Sequence, residues 1–477
     1  MTDQMRFDAL GANGNETVRT PNLDTLAGEG CRFSSCIVQA PVCVPSRQTF
    51  FTGRYPHSHR NRVNYTRLDD REVLLQRMFQ TRGYRTGFVG KLHYWPPTRE
   101  HALSTGFDEG VIHDGGPCDE WSDYVGYLAE HHPEWLGRYR ELRTDAHNPF
   151  TAAIPDELHE TTWCGEQTRS MMRRLASQDE PWFLFSSYWK PHAPLEVPEP
   201  WASMYNNVDV PVPAWHGEEH IDSFPEPLQL LARRGDADPY LADREIWKWI
   251  YRAYYGAVSQ IDREVGRSLS LLDELGLASS TIVVFCSDHG DFLMEHGMTG
   301  KNAFFESAIR VPMLVSYPGI VSADSYDELF ESTDVVPTLL DLCGIETPAR
   351  VQGHSVANRI SGGRVGEERQ PREFVFGENV IPEVITGGGH DFRFEPGEGI
   401  KGIRHPDAKM IRGLRWKYVY YPGNGHELYD LQSDPDELHN LADLPGHEAR
   451  VHEMRRRLLD WMITADENDQ IAPRWLL

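Results

Sequence analysis

The densest chemical pattern in the chain is the stretch Cys43–Arg54, which has the sequence CVPSRQTFFTGR. A proline two residues after the cysteine suits the first turn of a helix, and Gly53 suits a helix end, so we predict a helix through Gln48–Phe51. Such a helix places Cys43 beside its N-terminus, where free N–H groups favour an anion. Arg47 lies one turn in and can reach the same anion. The alternative is a buried structural thiol with a solvent-facing arginine.

A second pattern follows an apolar run. The run Thr281–Ser287 predicts a buried strand, and Asp288 and His289 come directly after it in the sequence SDHGD. Ligands of α/β proteins gather at the carboxyl ends of strands. A carboxylate followed by an imidazole at that place is a candidate pair of metal ligands. The alternative is a turn capped by the aspartate.

Two more strand-like runs lead into basic residues. The run Gly83–Gly90 precedes Lys91-Leu92-His93, and the run Trp182–Trp189 precedes Lys190-Pro191-His192. If these strands belong to one sheet, their ends bring together lysines that can bind an anion and histidines that can move a proton. For each residue alone, a solvated lysine or a hydrogen-bonded structural histidine is the alternative.

Taken together, these motifs resemble the type I sulfatases of the alkaline-phosphatase-like superfamily, whose relatives include arylsulfatases, choline-sulfatases and phosphonate monoester hydrolases. The family signature C-x-P-S-R with T-G-R matches Cys43–Arg54, and its G-K-x-H, K-P-H-x-P and D-H motifs match the segments above. Asp3-Gln4 and the segment Thr20–Asp24 (TPNLD) resemble the first metal motif of the family. Lys301 follows Asp288 at a spacing similar to that of a substrate-binding lysine in these enzymes.

The resemblance implies a nucleophile that the genetic code does not supply. In this family a formylglycine-generating enzyme oxidises the signature cysteine to formylglycine, an aldehyde that hydrates to a geminal diol. On that resemblance Cys43 is the precursor of the nucleophile, and the maturation enzyme is a partner of the chain. The implied reaction is hydrolysis of a sulfate monoester, in which a covalent route avoids direct attack of water on sulfur.

The resemblance also implies a role for each matching residue. Arg47 would stabilise the diol and the metal cluster, and Lys91 and Lys301 would neutralise sulfate oxygens. His192, with Lys301, would protonate the departing oxygen, and His93 would help the second diol hydroxyl to lose its proton. The implied metal ligands are Asp3, Gln4, Cys43, Asp288 and His289, and the implied substrate contacts are Asn64 and Lys190.

The donor types favour a hard divalent cation. Carboxylate, amide and hydroxyl oxygens are the ligands that Ca²⁺ prefers, so Ca²⁺ is the expected ion. The imidazole makes Mn²⁺ the alternative.

The start of the chain departs from the family pattern. Sulfatases have an apolar strand before the first metal motif, whereas here only Met1 and Thr2 precede Asp3. We therefore expect an upstream piece to be missing and the first ligands to be poorly anchored, because terminal residues order only when tied down. No apolar signal segment is seen at the start, so the expected location is cytoplasmic.

The composition limits which classes of molecule the chain can bind. The formal charge is −25, from 72 acidic and 47 basic residues, and nucleic-acid binding needs a basic face instead. An anionic small molecule is still possible, since a local pocket can be positive within an acidic protein. No apolar run is long enough for a membrane span. The seven cysteines are scattered without C-x-x-C pairs, which argues against a zinc cluster or a disulfide framework.

The order of elements predicts an α/β fold with a large mixed, mostly parallel sheet between helices. We place a catalytic domain at 1–365, with aromatic-rich insertions at about 109–177 and 196–243, and a Gly/Arg/Glu-rich linker at 361–371. A smaller α+β region with an antiparallel sheet should follow at 372–477. Its expected elements are strands at Glu373–Phe376, Ile411–Tyr421 and Glu427–Leu431 and a closing helix at Glu448–Met462.

Of three candidate functions, the sequence favours the first, a type I sulfatase, for which aryl, choline and carbohydrate sulfates are all candidate substrates. The second is a phosphonate monoester or phosphodiester hydrolase on the same scaffold, although Lys91 and His93 favour sulfate because those relatives tend to lose that pair. The third is a non-catalytic sulfate- or glycan-binding relative with a degraded metal site. The sequence does not indicate an oligomeric state.

Overall fold

A computed structural model of the chain describes residues 1–214, 216–236, 243–380 and 407–465. Parts of the predicted insertion 196–243 and of the predicted C-terminal region 372–477 lie outside these ranges. The strands are β1 (Thr2–Asp3), β2 (Cys31–Phe33), β3 (Cys36–Ile37), β4 (Arg85–Gly90), β5 (Glu109–Ile112), β6 (Trp182–Pro191), β7 (Val283–Cys286), β8 (Arg310–Val311), β9 (Met313–Ser316), β10 (Asp324–Tyr326), β11 (Phe330–Glu331), β12 (Val375–Val380), β13 (Asp407–Arg412), β14 (Trp416–Tyr421) and β15 (Gly425–Asp430). The α-helices are α1 (Pro21–Glu29), α2 (Cys43–Thr52), α3 (Pro56–His59), α4 (Leu75–Gln80), α5 (Arg99–Ser104), α6 (Asp123–His131), α7 (Pro133–Leu136), α8 (Glu160–Ala176), α9 (Glu218–Asp222), α10 (Glu226–Asp236), α11 (Arg244–Glu274), α12 (Glu306–Ile309), α13 (Val335–Leu342), α14 (Ala357–Ile360) and α15 (Glu448–Ala465).

The catalytic region is built on parallel strands. The order β1-β6-β4-β5 forms one sheet in which every pairing is parallel, and β10-β2-β9-β7 forms a second sheet that contains antiparallel pairings. Thr2 joins the two sheets, because it pairs with Tyr188 of β6 and forms a parallel bridge with Ser287 at the end of β7. The predicted α/β class with a mixed, mostly parallel sheet is confirmed.

The long helix α11 packs this sheet on one side, together with α8. Its buried residues Ile250, Tyr254, Val258 and Ile261 recur at steps of three and four and form one apolar stripe. The two helices approach closely at Gly165 of α8, where an added Cβ would lie 2.3 Å from a carboxylate oxygen of Glu264. No helix in the ranges above is long and apolar enough to cross a membrane.

The C-terminal region contains the predicted antiparallel sheet, in the order β12-β13-β14-β15, with α15 packed against it. The prediction of one strand over Ile411–Tyr421 is wrong. The chain reverses at Gly413, whose N–H donates to the Trp416 carbonyl at 2.8 Å, so the segment belongs to two strands of a hairpin. Gly413 is the local sign of this turn, because glycine weakens a strand and favours a tight turn.

The start of the chain is firmly held, contrary to expectation. Thr2 and Asp3 are fully buried in β1, and the Met1 ammonium donates to the Ser186 carbonyl at 2.8 Å. Thr2 pairs with β6 on one side and with Ser287 on the other, and this pairing anchors the first residues, which the sequence predicted to be poorly ordered.

A cavity of about 790 Å³ lies beyond Met1, between β6 and β7. Its lining is mainly apolar and includes Phe183 and Phe185 from β6 and Val284 from β7. Within the part of the chain that the structure describes, the edges of β6 and β7 that face the cavity have no strand partner. The cavity lies below the strand ends and is separate from the polar cluster described next.

Candidate active site

The polar side chains singled out by the sequence converge where the parallel strands end. Asp3 ends β1, Lys91 follows β4, His192 follows β6, and Asp288 follows β7. The N-terminus of α2 points into the same space and brings Cys43. The arrangement follows the rule that α/β sheets place their ligands beyond the carboxyl ends of the strands.

Cys43 is the first residue of α2 and is 1% exposed. Its Sγ lies 3.0 Å from Lys301 Nζ and 3.2 Å from His289 Nε2. Burial opposes ionisation of this thiol, but Lys301, His289 and Lys91 outweigh it and hold the pKa of Cys43 well below its usual value. An anionic group at this position is therefore strongly stabilised.

Asn64 closes the start of the same helix. Its side-chain Oδ1 accepts from the Val44 N–H at 3.0 Å, next to Cys43. Asn64 thus lies beside the nucleophile position, and its role as a substrate contact stays a prediction.

Four donors could hold a cation. One ligand atom from each of Asp3, Cys43, Asp288 and His289 lies within 4.8 Å of all the others, about the span of two Ca–O bonds. Asp3 Oδ1 is buried and accepts no hydrogen bond from the protein. A buried carboxylate oxygen without a partner is costly, and a bound cation would satisfy it. The residues present therefore fit the divalent metal that the sequence predicts.

Gln4 lies at the edge of this cluster. The amide nitrogen donates to the carboxylate of Asp291, which turns Oε1 toward Lys301, whose Nζ donates to it at 2.8 Å. Because a carboxylate can only accept, this contact fixes the orientation of the amide. The φ of Gln4 is 70°, which bends the chain so that its N–H reaches Asp288 Oδ1 at 3.0 Å.

Arg47 organises the two carboxylates. Its guanidinium donates to Asp288 Oδ2 at 2.7 Å and to Asp3 Oδ2 at 3.1 Å, and all three side chains are fully buried. Burial and the neighbouring Asp3 raise the pKa of Asp288. Burial and Cys43 act in the same direction on Asp3, but Lys91, His192 and Arg47 outweigh them and hold the pKa of Asp3 well below its usual range.

Lys91 and His93 enter from the loop after β4. Lys91 Nζ lies 2.7 Å from Asp3 Oδ2. Asp114 holds this loop, because its Oδ1 accepts from the Leu92 N–H at 2.8 Å and the His93 N–H at 3.1 Å. His93 is 8% exposed, and its Nδ1 has no hydrogen-bond partner. An imidazole nitrogen left open in this way can accept a proton from a bound group.

His192 touches the nucleophile position. Burial, reinforced by Lys301, lowers the pKa of His192 to about 4. Burial alone would also lower the pKa of Lys301, but Cys43, Asp3 and Asp288 outweigh it and raise it. At neutral pH the site thus presents a neutral imidazole and a charged ammonium side by side.

Lys190 points away from this cluster. Its ammonium lies 3.1 Å from Glu196 Oε2 and 3.5 Å from Glu160 Oε1, and it donates to the Pro194 carbonyl. These contacts leave the substrate role of Lys190 a prediction and favour a structural one.

Sequence reasoning missed three residues that shape the site. Asp291 orients Gln4, Asp114 holds the Lys91–His93 loop, and the ring of Trp189 lies against Lys91. Asp291 could have been predicted from the sequence, since it is the last residue of the SDHGD motif. The other two carry no local signal, because their contacts come from distant parts of the chain.

A buried nucleophile position, a set of hard donors and flanking lysines together define the site of a hydrolase that acts on anionic esters. The sulfatase family model matches residues 1–345, and the chain belongs to the sulfatase family. The arylsulfatase of Clostridium perfringens is 30% identical, over 96% of this chain and 92% of that protein.

Other relatives carry different activities in their names. The choline-sulfatase of Rhizobium meliloti is 28% identical, over 93% of this chain and 82% of that protein. A solved phosphonate monoester hydrolase of Agrobacterium radiobacter superposes with a TM-score of 0.84 at 26% identity, over 98% of this chain and 95% of that chain. The protein is therefore a sulfatase by family, and its neighbours include hydrolases of phosphorus esters.

Proposed function

We propose that this sulfatase cleaves a sulfate monoester with a formylglycine derived from Cys43 as nucleophile and a divalent cation as cofactor. The observation that carries the proposal is the position of Cys43 Sγ, which lies 3.0 Å from Lys301 Nζ and belongs to the donor cluster with Asp3, Asp288 and His289. The nucleophile position thus lies next to both the cation site and an anion-binding lysine.

The charges around that atom suit an anionic substrate. Arg47, Lys91 and Lys301 contribute three positive charges against the two carboxylates of Asp3 and Asp288. A bound divalent cation would add to this excess. The site is therefore a positive pocket within a chain of formal charge −25.

The chemistry is divided between the bound groups and the protein. Hydrated formylglycine supplies a hydroxyl nucleophile, and a divalent cation polarises the ester and favours ionisation of that hydroxyl. Asp3, Gln4, Asp288 and His289 would hold the cation, with Ca²⁺ expected and Mn²⁺ as the alternative. Arg47 holds the carboxylates of Asp3 and Asp288 in place through hydrogen bonds to both.

The remaining residues handle the substrate and its protons. Lys91 and Lys301 neutralise the sulfate oxygens. The charged Lys301 is the proton source, and the neutral His192 beside it would pass that proton to the departing oxygen. The open Nδ1 of His93 accepts a proton when the product is expelled. Asn64 adds a polar contact at the helix start.

Maturation has to precede folding in this scheme. Cys43 is 1% exposed and is enclosed by Lys301 and His289, so a formylglycine-generating enzyme has no access to its thiol in the folded chain. The nascent or unfolded chain is the substrate that such a partner would recognise. We place this step in the cytoplasm, and fractionation of cells that express the chain tests that location.

The second candidate is hydrolysis of a phosphonate monoester or phosphodiester. The superposition on a phosphonate monoester hydrolase over 98% of this chain favours it. Lys91 and His93 favour sulfate, because phosphonate-hydrolysing relatives tend to lose this pair; here Lys91 Nζ lies 2.7 Å from Asp3 Oδ2. Among sulfates, the names of the relatives keep aryl, choline and carbohydrate esters as candidates.

The test combines mass spectrometry with turnover. The peptide that contains residue 43 should carry an aldehyde in place of the thiol, and the protein should hydrolyse 4-nitrophenyl sulfate faster than phenyl phosphonate esters. Cys43→Ala should abolish turnover and keep the fold. The control Cys164→Ala, at another buried cysteine, should keep both turnover and fold. An unmodified Cys43 in a fully active protein would overturn the proposal, and faster phosphonate turnover would select the second candidate.

A further inference from the structure

Trp189 is a buried aromatic residue at the centre of the anion-binding groups. It lies near the end of β6, is 7% exposed, and carries no reactive group of its own. The Lys91 ammonium lies 4.1 Å from its ring centroid. The His192 ring lies 4.6 Å away, centroid to centroid, at an interplanar angle of 45°. One indole therefore contacts both of these side chains.

The indole itself is held from two sides. It packs directly on Gly115, where an added Cβ would lie 2.3 Å from the ring, and Gly115 has a φ of 71° that favours glycine. The Arg140 guanidinium lies 5.7 Å from the ring centroid and pairs with Glu196 at 2.8 Å. Because these neighbours are buried or ion-paired, the ring has little room to move.

The next residue fixes the backbone. Lys190 is fully buried, and its ammonium binds Glu196 and the carbonyl of Pro194, which closes the loop that carries His192. Side chains alternate along a strand, so Lys190 faces the carboxylates of Glu160 and Glu196, while Trp189 faces the active site. The strand end is thus pinned on one side and presents a rigid aromatic surface on the other.

We propose that Trp189 is a positioning residue, whose ring sets the Lys91 ammonium and the His192 imidazole in place beside the reacting ester. This proposal rests on the proposed sulfatase function. A lysine side chain is long and flexible, and the negative face of an indole attracts its ammonium while confining its rotamers. The same ring excludes water on that side, which strengthens the interaction of Lys91 with Asp3 and with a bound anion.

The proposal differs from simple core packing in what it predicts for kinetics. Trp189→Phe keeps an aromatic face of smaller size, whereas Trp189→Leu removes the face. The loss of a cation–π contact corresponds to about 2- to 30-fold, so we expect kcat/KM for 4-nitrophenyl sulfate to be about 10-fold lower in Trp189→Leu than in Trp189→Phe. Partial rescue by phenylalanine is the first sign of a positioning role.

Coupling to Lys91 is the sharper test. In a Lys91→Met background the Trp189→Leu change should lower kcat/KM for 4-nitrophenyl sulfate much less than it does in the parent chain, because the group that the ring positions is already gone. On an alkyl sulfate, Trp189→Leu should cost additional rate, since His192 is displaced as well. Merely structural damage would lower both rates equally and would add to the Lys91→Met loss.

Trp163 provides a matched control. It is a buried tryptophan, 3% exposed, that packs on Tyr124 and His113. Trp163→Leu and Trp163→Phe should reduce stability without any preference between alkyl and aryl sulfates and without coupling to Lys91→Met. Where Trp189→Leu is too unstable to assay, Trp189→Met gives a long apolar side chain without an aromatic face.

The outcomes separate this proposal from the one on which it rests. An inactive parent chain that carries formylglycine and metal would end the sulfatase proposal. With an active parent, equal losses for Trp189→Phe and Trp189→Leu, or losses that add fully to Lys91→Met, would overturn the role of Trp189. Selective loss in Trp189→Leu that vanishes in the Lys91→Met background would support it.

Discussion

Arg47 and Asp288 form a fully buried ion pair, Nε to Oδ2 at 2.7 Å, between residues that are 241 positions apart in the chain. Arg47 also donates to Oδ2 of Asp3, so one guanidinium binds one oxygen of each carboxylate. The Oδ1 atom of Asp3 is thereby left free toward the donor cluster. The arginine joins distant segments and at the same time selects which oxygens can bind a cation.

Loss of Arg47 should therefore destabilise the fold. In Arg47→Met two buried carboxylates lose their common partner, and breaking a buried pair in this way typically costs about 3–5 kcal/mol. Urea unfolding followed by circular dichroism measures the change. The control is Arg456→Met at the exposed pair Arg456–Asp460, where the expected cost is about 0–1 kcal/mol. Similar midpoints for the two variants would contradict the central role of Arg47.

Asp288 should control metal content. Asp288→Asn keeps the shape of the side chain but removes a negative charge from the donor cluster, so both divalent-metal occupancy and turnover should fall. Elemental analysis of the purified protein measures the occupancy. Asp262→Asn changes a buried carboxylate that binds Asn22 and the Leu23 N–H elsewhere, and it should leave the metal content unchanged. Full occupancy in Asp288→Asn with an unchanged rate would count against the assignment.

The cavity between β6 and β7 should accept an added strand. Thr2 already pairs with Tyr188 on one side and bridges Ser287 on the other, so the two strands lie two strand spacings apart at this level. Joining about five apolar, β-branched residues to the Met1 amine would fill this gap with a parallel strand. Burial of the Met1 ammonium lowers its pKa, and an amide there removes that buried charge.

We expect this extension to raise the melting temperature and the affinity for the metal, because it pairs both strand edges and secures Asp3. The control is an extension of equal length made of glycine and serine, which should add little. Equal melting temperatures for the two extended chains would show that the apolar extension does not fill the cavity as a strand.

Stability should fall as the pH drops below 6.5, and His59 is one cause. Its Nδ1 accepts from the Asn61 N–H at 3.2 Å and its Nε2 lies 3.2 Å from the Thr49 hydroxyl, which suits a neutral ring. Burial lowers the pKa of His59 to about 3 from an ordinary 6.5. Between these values the unfolded chain binds a proton that the folded chain does not, so unfolding becomes easier as the pH falls.

The measurement is the urea midpoint from pH 7 to pH 4 in the parent chain and in His59→Gln. Glutamine does not titrate, so the variant should lose less stability over this range even if it starts lower. A curve parallel to that of the parent would show that His59 does not contribute to the pH dependence.

Much of the fold could be predicted from local pattern. The apolar stripe of α11, the strand β4 and the helix that begins at Cys43 all depend on residues close together in sequence. The hairpin at Gly413 was missed because a single glycine between two strand-forming segments is a weak turn signal. The anchoring of Thr2 was missed because it depends on strands 186 and 285 residues further along the chain.

The site was predicted in part for a similar reason. The motif at the start of α2 identifies Cys43. Motifs at strand ends identify Asp288 and Lys91, because strand topology places such ends together. The partners that hold them do not follow from a motif. Lys190 has the same sequence context as His192, yet the carboxylates Glu160 and Glu196 hold its ammonium away from the site.

The roles of His192 and Lys91 can be separated by the leaving group. An alkyl or sugar alkoxide is strongly basic and needs a proton in the transition state, whereas 4-nitrophenolate departs readily without one. His192 is neutral and adjoins the charged Lys301, so it can pass a proton from Lys301 to the oxygen where the bond breaks. General acid catalysis contributes about 10²–10⁴-fold, so His192→Ala should cost far more rate on an alkyl sulfate than on 4-nitrophenyl sulfate. Lys91→Ala should impair both substrates similarly, since it neutralises oxygens that both esters share. Equal losses on both substrates for His192→Ala would make His192 a sulfate ligand instead of the acid.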